Sequence, residues 1–373
     1  MSFVDINSDL VRKQWVREGL VQAKSKSFWT PYTGMTSDSI VVQANNANAK
    51  EGHTVVFDYD GNLSGKAIKG KDTAYGKGEK KKKFSDKITV DRYRLPVDNG
   101  DAFDGVDIGD LSITEHSDSR AKLADLFIRF KDQALFDAAQ GSNGQASSHI
   151  VDLGTTFTYD TLIDLEKFVK TATGFTNSPV ARTPLYPFQF EGGRPMWVFA
   201  VDTFMANKIK KDDDYQTIII NADLRGNENR ALHGVIGKIG SLLIVEADTF
   251  FGYTGHTSTT IGLHDTEVEI AGLRRCDSGG NWTGQTDFNT ALALDSHGVI
   301  LGKNALQLAF GKMPDYKYQE SSDFGISSES ALEVWMNVQK TTLLAEMDDY
   351  RAAKLGGFDF GVIKVVLETD AAD

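Results

Sequence analysis

The chain has 373 residues, 40% of them hydrophobic and 10% aromatic, a globular composition at a length that exceeds one compact core and predicts two or three lobes. Its 52 acidic against 40 basic residues give a formal charge of -12, which argues against a molecule built globally to grip a phosphate backbone, since that needs clustered cations facing the polymer. The single cysteine, Cys276, excludes an internal disulfide and cannot alone supply a thiolate zinc site, so a reducing compartment is expected. Charges at Asp5, Asp9, Arg12, Lys13, Arg17 and Glu18 interrupt any apolar run that a signal peptide or a membrane span would need.

Residues 7 to about 27 place Val11, Trp15, Val16 and Leu20 on one side of a helix. Lying before any core element, this helix reads equally as an arm for another subunit and as a first helix packed on its own domain. Residues 53–59 alternate through Val55, Phe57 and Tyr59, and residues 86–94 through Ile88 and Val90, so both read as strands. The Gly- and Lys-rich segment between them is too long for a tight hairpin turn and has little to bury, which marks a functional or solvated loop. It holds the one dense basic block, Lys80, Lys81, Lys82 and Lys83. The simple reading is a solvated loop tip; the others are contact with nucleic acid and pairing with acidic surface on a neighbouring copy.

The strongest helical pattern follows, with Leu123, Leu126, Phe127, Phe130 and Ala134 on one stripe and Ser117 or Asp118 as cap. A helix over 118–139 spans roughly 33 Å, and the Gly141 to Gly144 segment stops it. A second helix is predicted at 160–172 through Leu162, Leu165, Phe168 and Val169. Trp197 to Val201 and Ser241 to Val245 are short continuous apolar runs that read as strands buried on both faces, with a helix opening at Asp202 and running toward Lys211. Residues 252–289 are rich in Gly, Thr, Asp and Asn and read as a loop-rich excursion or a small inserted lobe. Helices are predicted at 297–310 and 329–344, the second on a face of Leu332, Trp335, Met336 and Gln339, and a terminal strand through Phe358, Phe360 and Val362.

Motifs for chemistry are absent. There is no phosphate-cradling lysine loop, no nucleophile elbow and no His pair at metal-binding spacing. His256 and His264, the nearest histidine pair, read as loop residues, and Asp212, Asp213 and Asp214 as a turn or helix start rather than a cation site. Asn62 and Asn281 match a glycan acceptor pattern that matters only after secretion, and Cys276, although preceded by Arg274 and Arg275, has no recognisable His partner. The chain is therefore expected to be no enzyme and to hold no cofactor or metal.

The stretch from Ile40 to Val97, with Glu51, Gly52 and His53, Val55 to Tyr59, Leu63 to Gly65, Lys69, Gly70 and Lys87 to Arg92, resembles the major capsid proteins of Schitoviridae-type (N4-like) tailed bacteriophages and related siphophages. The block from Pro195 to Phe250 with its Arg225-Gly226 turn, the Leu301 to Lys312 segment, the Asp323 to Gly325 turn and the closing strand are similar to that family too. The likeness spans about 40–369 and departs in the lysine block and in 252–289. It implies an α+β fold of the Hong Kong 97 type: an N-terminal arm (1–49), an extended two-stranded loop (50–100) and a peripheral domain with a spine helix (101–195). An axial domain (196–345) and a C-terminal strand returning to the peripheral domain (346–373) complete it. The implied function is a major capsid protein that assembles as hexamers and pentamers into an icosahedral head around double-stranded DNA. Trp15 and Lys80 to Lys83 would be its inter-subunit contacts. The implied partners are further copies of the chain, portal and scaffolding proteins, a decoration protein and packaged DNA through weak contacts, with no membrane. The implied place is the virion capsid, assembled in the bacterial cytoplasm. An encapsulin-like compartment, a minor virion protein and a motif-poor hydrolase with carboxylates converging in a concave pocket are the other readings.

Overall fold

The computed structural model describes residues 27–36, 38–45, 51–60, 67–79, 83–101, 108–141, 143–171, 185–191, 193–216, 235–247, 296–320, 327–342 and 359–368. The expected N-terminal helix and the 252–289 excursion lie outside these residues.

A five-stranded sheet is sewn from three distant stretches of chain. Its order is β1 (Thr33–Gly34), β2 (Val41–Asn45), β12 (Leu306–Glu320), β13 (Ser327–Lys340) and β5 (Asp91–Asp101), with β2 parallel to its neighbours and the last three strands antiparallel. Period-two alternation divides its two faces. Leu332, Val334, Met336 and Val338 of β13, with Leu95 of β5 and Leu306, Leu308 and Phe310 of β12, pack with α1 (Ile108–Gln140) through Leu123, Phe127, Leu135 and Phe136. The opposite face, with Val42, Ala309 and Trp335, takes the root of a separate hairpin formed by β3 (Thr54–Asp60) and β4 (Lys83–Thr89).

The second sheet has the order β6 (Ile150–Asp152), β14 (Val362–Leu367), β11 (Ser296–Leu301), β8 (Arg194–Val201), β10 (Leu242–Glu246) and β9 (Val235–Ile239), with β7 (Gln189–Glu191) also on β8. β8 and β10 run parallel, as do β14 and β6. One face packs against α2 (Tyr159–Thr171) and α3 (Thr203–Lys211) through Leu162, Phe168, Met205, Phe199 and Val365. The alternate residues Val198, Ala200, Val299, Leu301 and Val362 join the core beneath α1. The two sheets therefore share one apolar interior.

Several expectations hold as written. Leu162, Leu165, Phe168 and Val169 are all buried on α2, Trp197 to Val201 is buried throughout, and Asp202 caps α3 by accepting from Met205 N at 2.8 Å. Others are corrected. The spine helix has 33 residues, beginning at Ile108 rather than 118, which makes it about 50 Å long. Ser117 and Asp118 lie inside it, because cap preference is a bias of about 1 kcal/mol that a continuing helix overrides. Gly141, at φ 84, ends it, and a Cβ there would stand 2.6 Å from Ser147 N. The predicted strand 86–94 is two strands in different sheets, divided at Val90, whose N–H and carbonyl are bound by His53 O and Gly52 N at 2.9 Å each. The helices expected at 297–310 and 329–344 are the strands β11, β12 and β13. The terminal strand starts at Val362 and lies in the seven-stranded sheet; Phe358 falls outside the described residues.

Candidate assembly surfaces

The β3-β4 hairpin is fixed at its root and open at its tip. Val55, Phe57, Ile88 and Val90 are buried against Val42, Ala44, Ala309 and Trp335. Beneath them the carboxylate of Asp86, 1% exposed, accepts from Gln307 Nε2 at 2.8 Å and Thr342 N at 3.1 Å. Gln339 Nε2 donates to Gln307 Oε1 at 2.9 Å and to Lys87 O at 3.2 Å. An apolar root and a buried polar latch thus hold the hairpin at one angle, since each latched group would be costly to strand. Among the described residues, Val56 on its outer side is half exposed, and Tyr75 in the connecting segment is 95% exposed.

The connecting segment 61–82 carries seven lysines (66, 69, 71, 77, 80, 81 and 82) against Asp72 and Glu79, a net of +5. Taking that +5 from the chain's -12 leaves -17 on all other residues. Charge is therefore divided between a cationic loop and an anionic body. Of the contact candidates read from the sequence, Trp15, Lys80, Lys81 and Lys82 lie outside the described residues, while Lys83 opens β4 opposite Asp60.

A charged cluster without any sequence motif lies on the face of the five-stranded sheet away from α1. Glu333, 2% exposed, pairs with Arg92, with Lys317 at 2.5 Å and with Lys312 at 3.2 Å, and Lys312 also reaches Asp315 at 2.8 Å. Burial opposes the Glu333 charge, but the hydrogen bonds and positive charge of Lys317 and Lys312 prevail and lower its pKa to about 2. β12, whose register is irregular around Lys312, brings Lys312 and Lys317 to this carboxylate from one side, and β5 brings Arg92 from the other.

Three further polar groups fasten the elements together. Asp132, 0% exposed on α1, accepts from Ser27 Oγ at 2.7 Å and Phe28 N at 2.8 Å, with Trp29 and Phe136 rings 4.8 Å apart beside it. Lys340 at the end of β13 meets Asp359 at 3.1 Å and donates to Ala146 O at 3.1 Å, while Asp359 accepts from Ser148 N at 2.9 Å. Asp202 accepts from Ser296 Oγ and His297 N at 2.5 and 2.9 Å.

None of this resembles reaction chemistry. His297 is a core histidine whose pKa burial, with Lys364 nearby, lowers to about 4. Asp212 closes a turn by accepting from Tyr159, Asp214 and Tyr215 N. Cys276, His256, His264, Asn62 and Asn281 lie outside the described residues. Among the described residues no group of three or more His, Cys, Asp or Glu could hold a metal ion, and no helix is long and apolar enough to cross a membrane.

The family described as phage capsid protein matches residues 5–241. No curated protein matches the chain. Among solved structures, the chain is similar to the head of Helicobacter pylori bacteriophage KHP40, at 16% identity and TM-score 0.66 over 92% of each chain. It is similar also to the acid-stable capsid of Helicobacter pylori bacteriophage KHP30, at 16% identity and TM-score 0.65 over 92% of this chain and 91% of that one. The capsid of Ralstonia phage GP4 matches at 16% identity and TM-score 0.61 over 92% of each. At such identities these likenesses show the fold, which is α+β of the Hong Kong 97 type.

Proposed function

The chain belongs to the phage capsid protein family, and on that premise we propose how its surfaces build a shell. The protein is a major capsid protein, a structural and non-enzymatic subunit of the phage head. The reading of its assembly rests on one observation, the division of charge between the +5 loop and the -17 remainder. A loop that projects beyond its own core finds its complement on a neighbour, and repetition of that head-to-tail contact around a closed ring gives hexamers and pentamers. Lys80 to Lys83 lie at the return of the loop and pair with acidic surface of the next subunit. Trp15, on the amphipathic segment that precedes the Asp132 anchor, extends a second contact.

We place the domain division on the sheets, which departs from the sequence-based bounds of 101–195, 196–345 and 346–373. α1 with the five-stranded sheet forms the peripheral domain, which takes in β12 and β13; the seven-stranded sheet with α2 and α3 forms the axial domain, which takes in β14. A portal, a separate scaffolding protein and a decoration protein complete the head, packaged DNA meets the acidic chain only weakly, and assembly takes place in the bacterial cytoplasm. The subtype we favour is the Schitoviridae type, on the likeness of residues 40–97 and 195–250.

Electron microscopy of the purified protein at high concentration, with a size-exclusion trace, tests the reading. Closed shells or rings of five or six subunits are expected; a compact monomer that stays monomeric with scaffolding protein added would refute it.

A further inference from the structure

Beside the last turns of α1 the edge of the five-stranded sheet is incomplete. β5 begins at Asp91, opposite Met336, whereas β13 continues to Lys340. The backbone groups of that overhang are met by side chains: Asn143 Nδ2 donates to Val338 O at 3.5 Å, and Lys340 N donates to Gln145 Oε1 at 3.1 Å. Two amides thus stand where a longer β5 would run, and a strand from elsewhere cannot be added there. What remains is a notch of about 350 Å³ whose walls include Asp91, Tyr93, Phe130, Asp137 and Asn337. Tyr93 and Phe130 present rings 4.9 Å apart, and no Lys, Arg or His lines the opening. Asp137 accepts one hydrogen bond, from Gln133 Nε2 at 2.8 Å, and Asp91 accepts from Asn337 Nδ2 at 3.1 Å, which leaves acceptor capacity on both carboxylates.

An apolar wall, two carboxylates and no cation call for an aromatic side chain with a donor, set among positive charges. Of the two exposed tyrosines among the described residues, Tyr186 at 45% and stacked on Phe360, and Tyr75, the second is the one in the open. Tyr75 is 95% exposed at the hairpin tip, with Lys69, Lys71 and Lys77 exposed around it. It does not enter the notch of its own chain: β4 alone carries the hairpin roughly 20 Å from Val90, and the tip stands in solvent.

We propose that Tyr75 of one copy seats in the notch of a second copy, its ring against Tyr93 and Phe130, its hydroxyl donating to Asp137 and its flanking lysines over Asp91. The contact deepens the capsid reading and rests on it, naming the residue that anchors the loop and the pocket that receives it. A Tyr in a closed, well-packed pocket is the type of side chain that dominates an interface, while the lysines at the rim set approach and register.

The test replaces Tyr75 with the photo-reactive p-benzoylphenylalanine and assembles shells from equal parts of unlabelled and isotope-labelled chain. Mass spectrometry after illumination is expected to show mixed-label cross-links from position 75 to segments 91–93, 130–145 or 336–339. Cross-links in assembled shells that map elsewhere would overturn the proposal and leave the capsid reading standing. Unsubstituted protein that never forms shells would remove the reading on which the notch contact rests. Because Tyr75 is 95% exposed, Tyr75→Ala is expected to leave the monomer folded and to raise the concentration needed for assembly about tenfold. Tyr75→Phe should recover part of that loss, and unchanged assembly of the alanine variant would again refute the contact.

Discussion

Lys340 and Asp359, 1% and 4% exposed, join the end of β13 in one sheet to the entry of β14 in the other. Their charges are tolerated there because Ala146 O, Ser147 Oγ and Ser148 N take up the remaining donors and acceptors. Asp359→Ala strands a buried ammonium and is expected to lower the subunit's unfolding free energy by about 3–5 kcal/mol in a urea titration. Lys340→Met combined with Asp359→Leu should restore most of it. A second carboxylate reports through pH. Burial raises the Asp137 pKa from 3.8 to about 6, against one hydrogen bond from Gln133 that lowers it. The folded subunit then binds this proton more tightly than the unfolded chain, so its stability falls as pH rises between those two values. Asp137→Asn, which keeps the shape without the charge, is expected to stabilise the unassembled subunit by about 2–3 kcal/mol near pH 7 and by nothing below about pH 4. Urea midpoints of the two proteins across that range measure the difference directly, and the burial-raised Asp132 and Asp202 cancel in the comparison.

At the scale of elements, the β3-β4 hairpin divides into a root packed in the subunit's interior and a loop that the proposed contact gives to a neighbour. Its root belongs to the subunit's interior, while the described residues 67–79 of the connecting segment contribute no residue to any of the described cores. Since Asp60 and Lys83 are directly paired, replacing 61–82 with Asn-Gly would close the strands by a tight turn. The unfolding midpoint should stay unchanged while shell formation is lost, measured by denaturation and by electron microscopy. This division was legible in the sequence: a period-two pattern on either side of a segment with little to bury. So was the capping of α3 by Asp202, a local interaction. The errors at 297–310 and 329–344 have a definite cause. Leu332, Trp335, Met336 and Gln339 make a helical stripe, yet Leu332, Val334, Met336 and Val338 make an equally good period-two face, and only pairing with β12 and β5 decides between them. The Glu333 cluster and the notch were invisible for the same reason, since each needs β5 in register with β13, more than two hundred residues away in sequence.

For the whole molecule, charge is the organising quantity. Between subunits at physiological salt, fields reach about 8 Å, so the anionic bodies repel one another at contact unless the cationic loop lies between them. Reversing Lys80, Lys81, Lys82 and Lys83 to Glu changes the loop's surroundings by eight units and is expected to abolish shells without unfolding the subunit. Light scattering and circular dichroism separate the two effects, and normal particle yield would discard the charge argument.

The sewing of each sheet from distant segments also sets a timetable for synthesis. β5 is complete at residue 101, but its partner β13 lies at 327–340, which at about 5–20 residues per second leaves the ribosome roughly 10–50 s later. β8 lacks β11 until residue 301, and β11 and β6 await β14, at 362–367. Throughout that interval the nascent chain displays apolar strand edges with no partner, and a head needs very many copies at once. Unpartnered edges of this kind make a partly synthesised chain prone to aggregate, so the interval between paired strands is the period in which the subunit most needs protection.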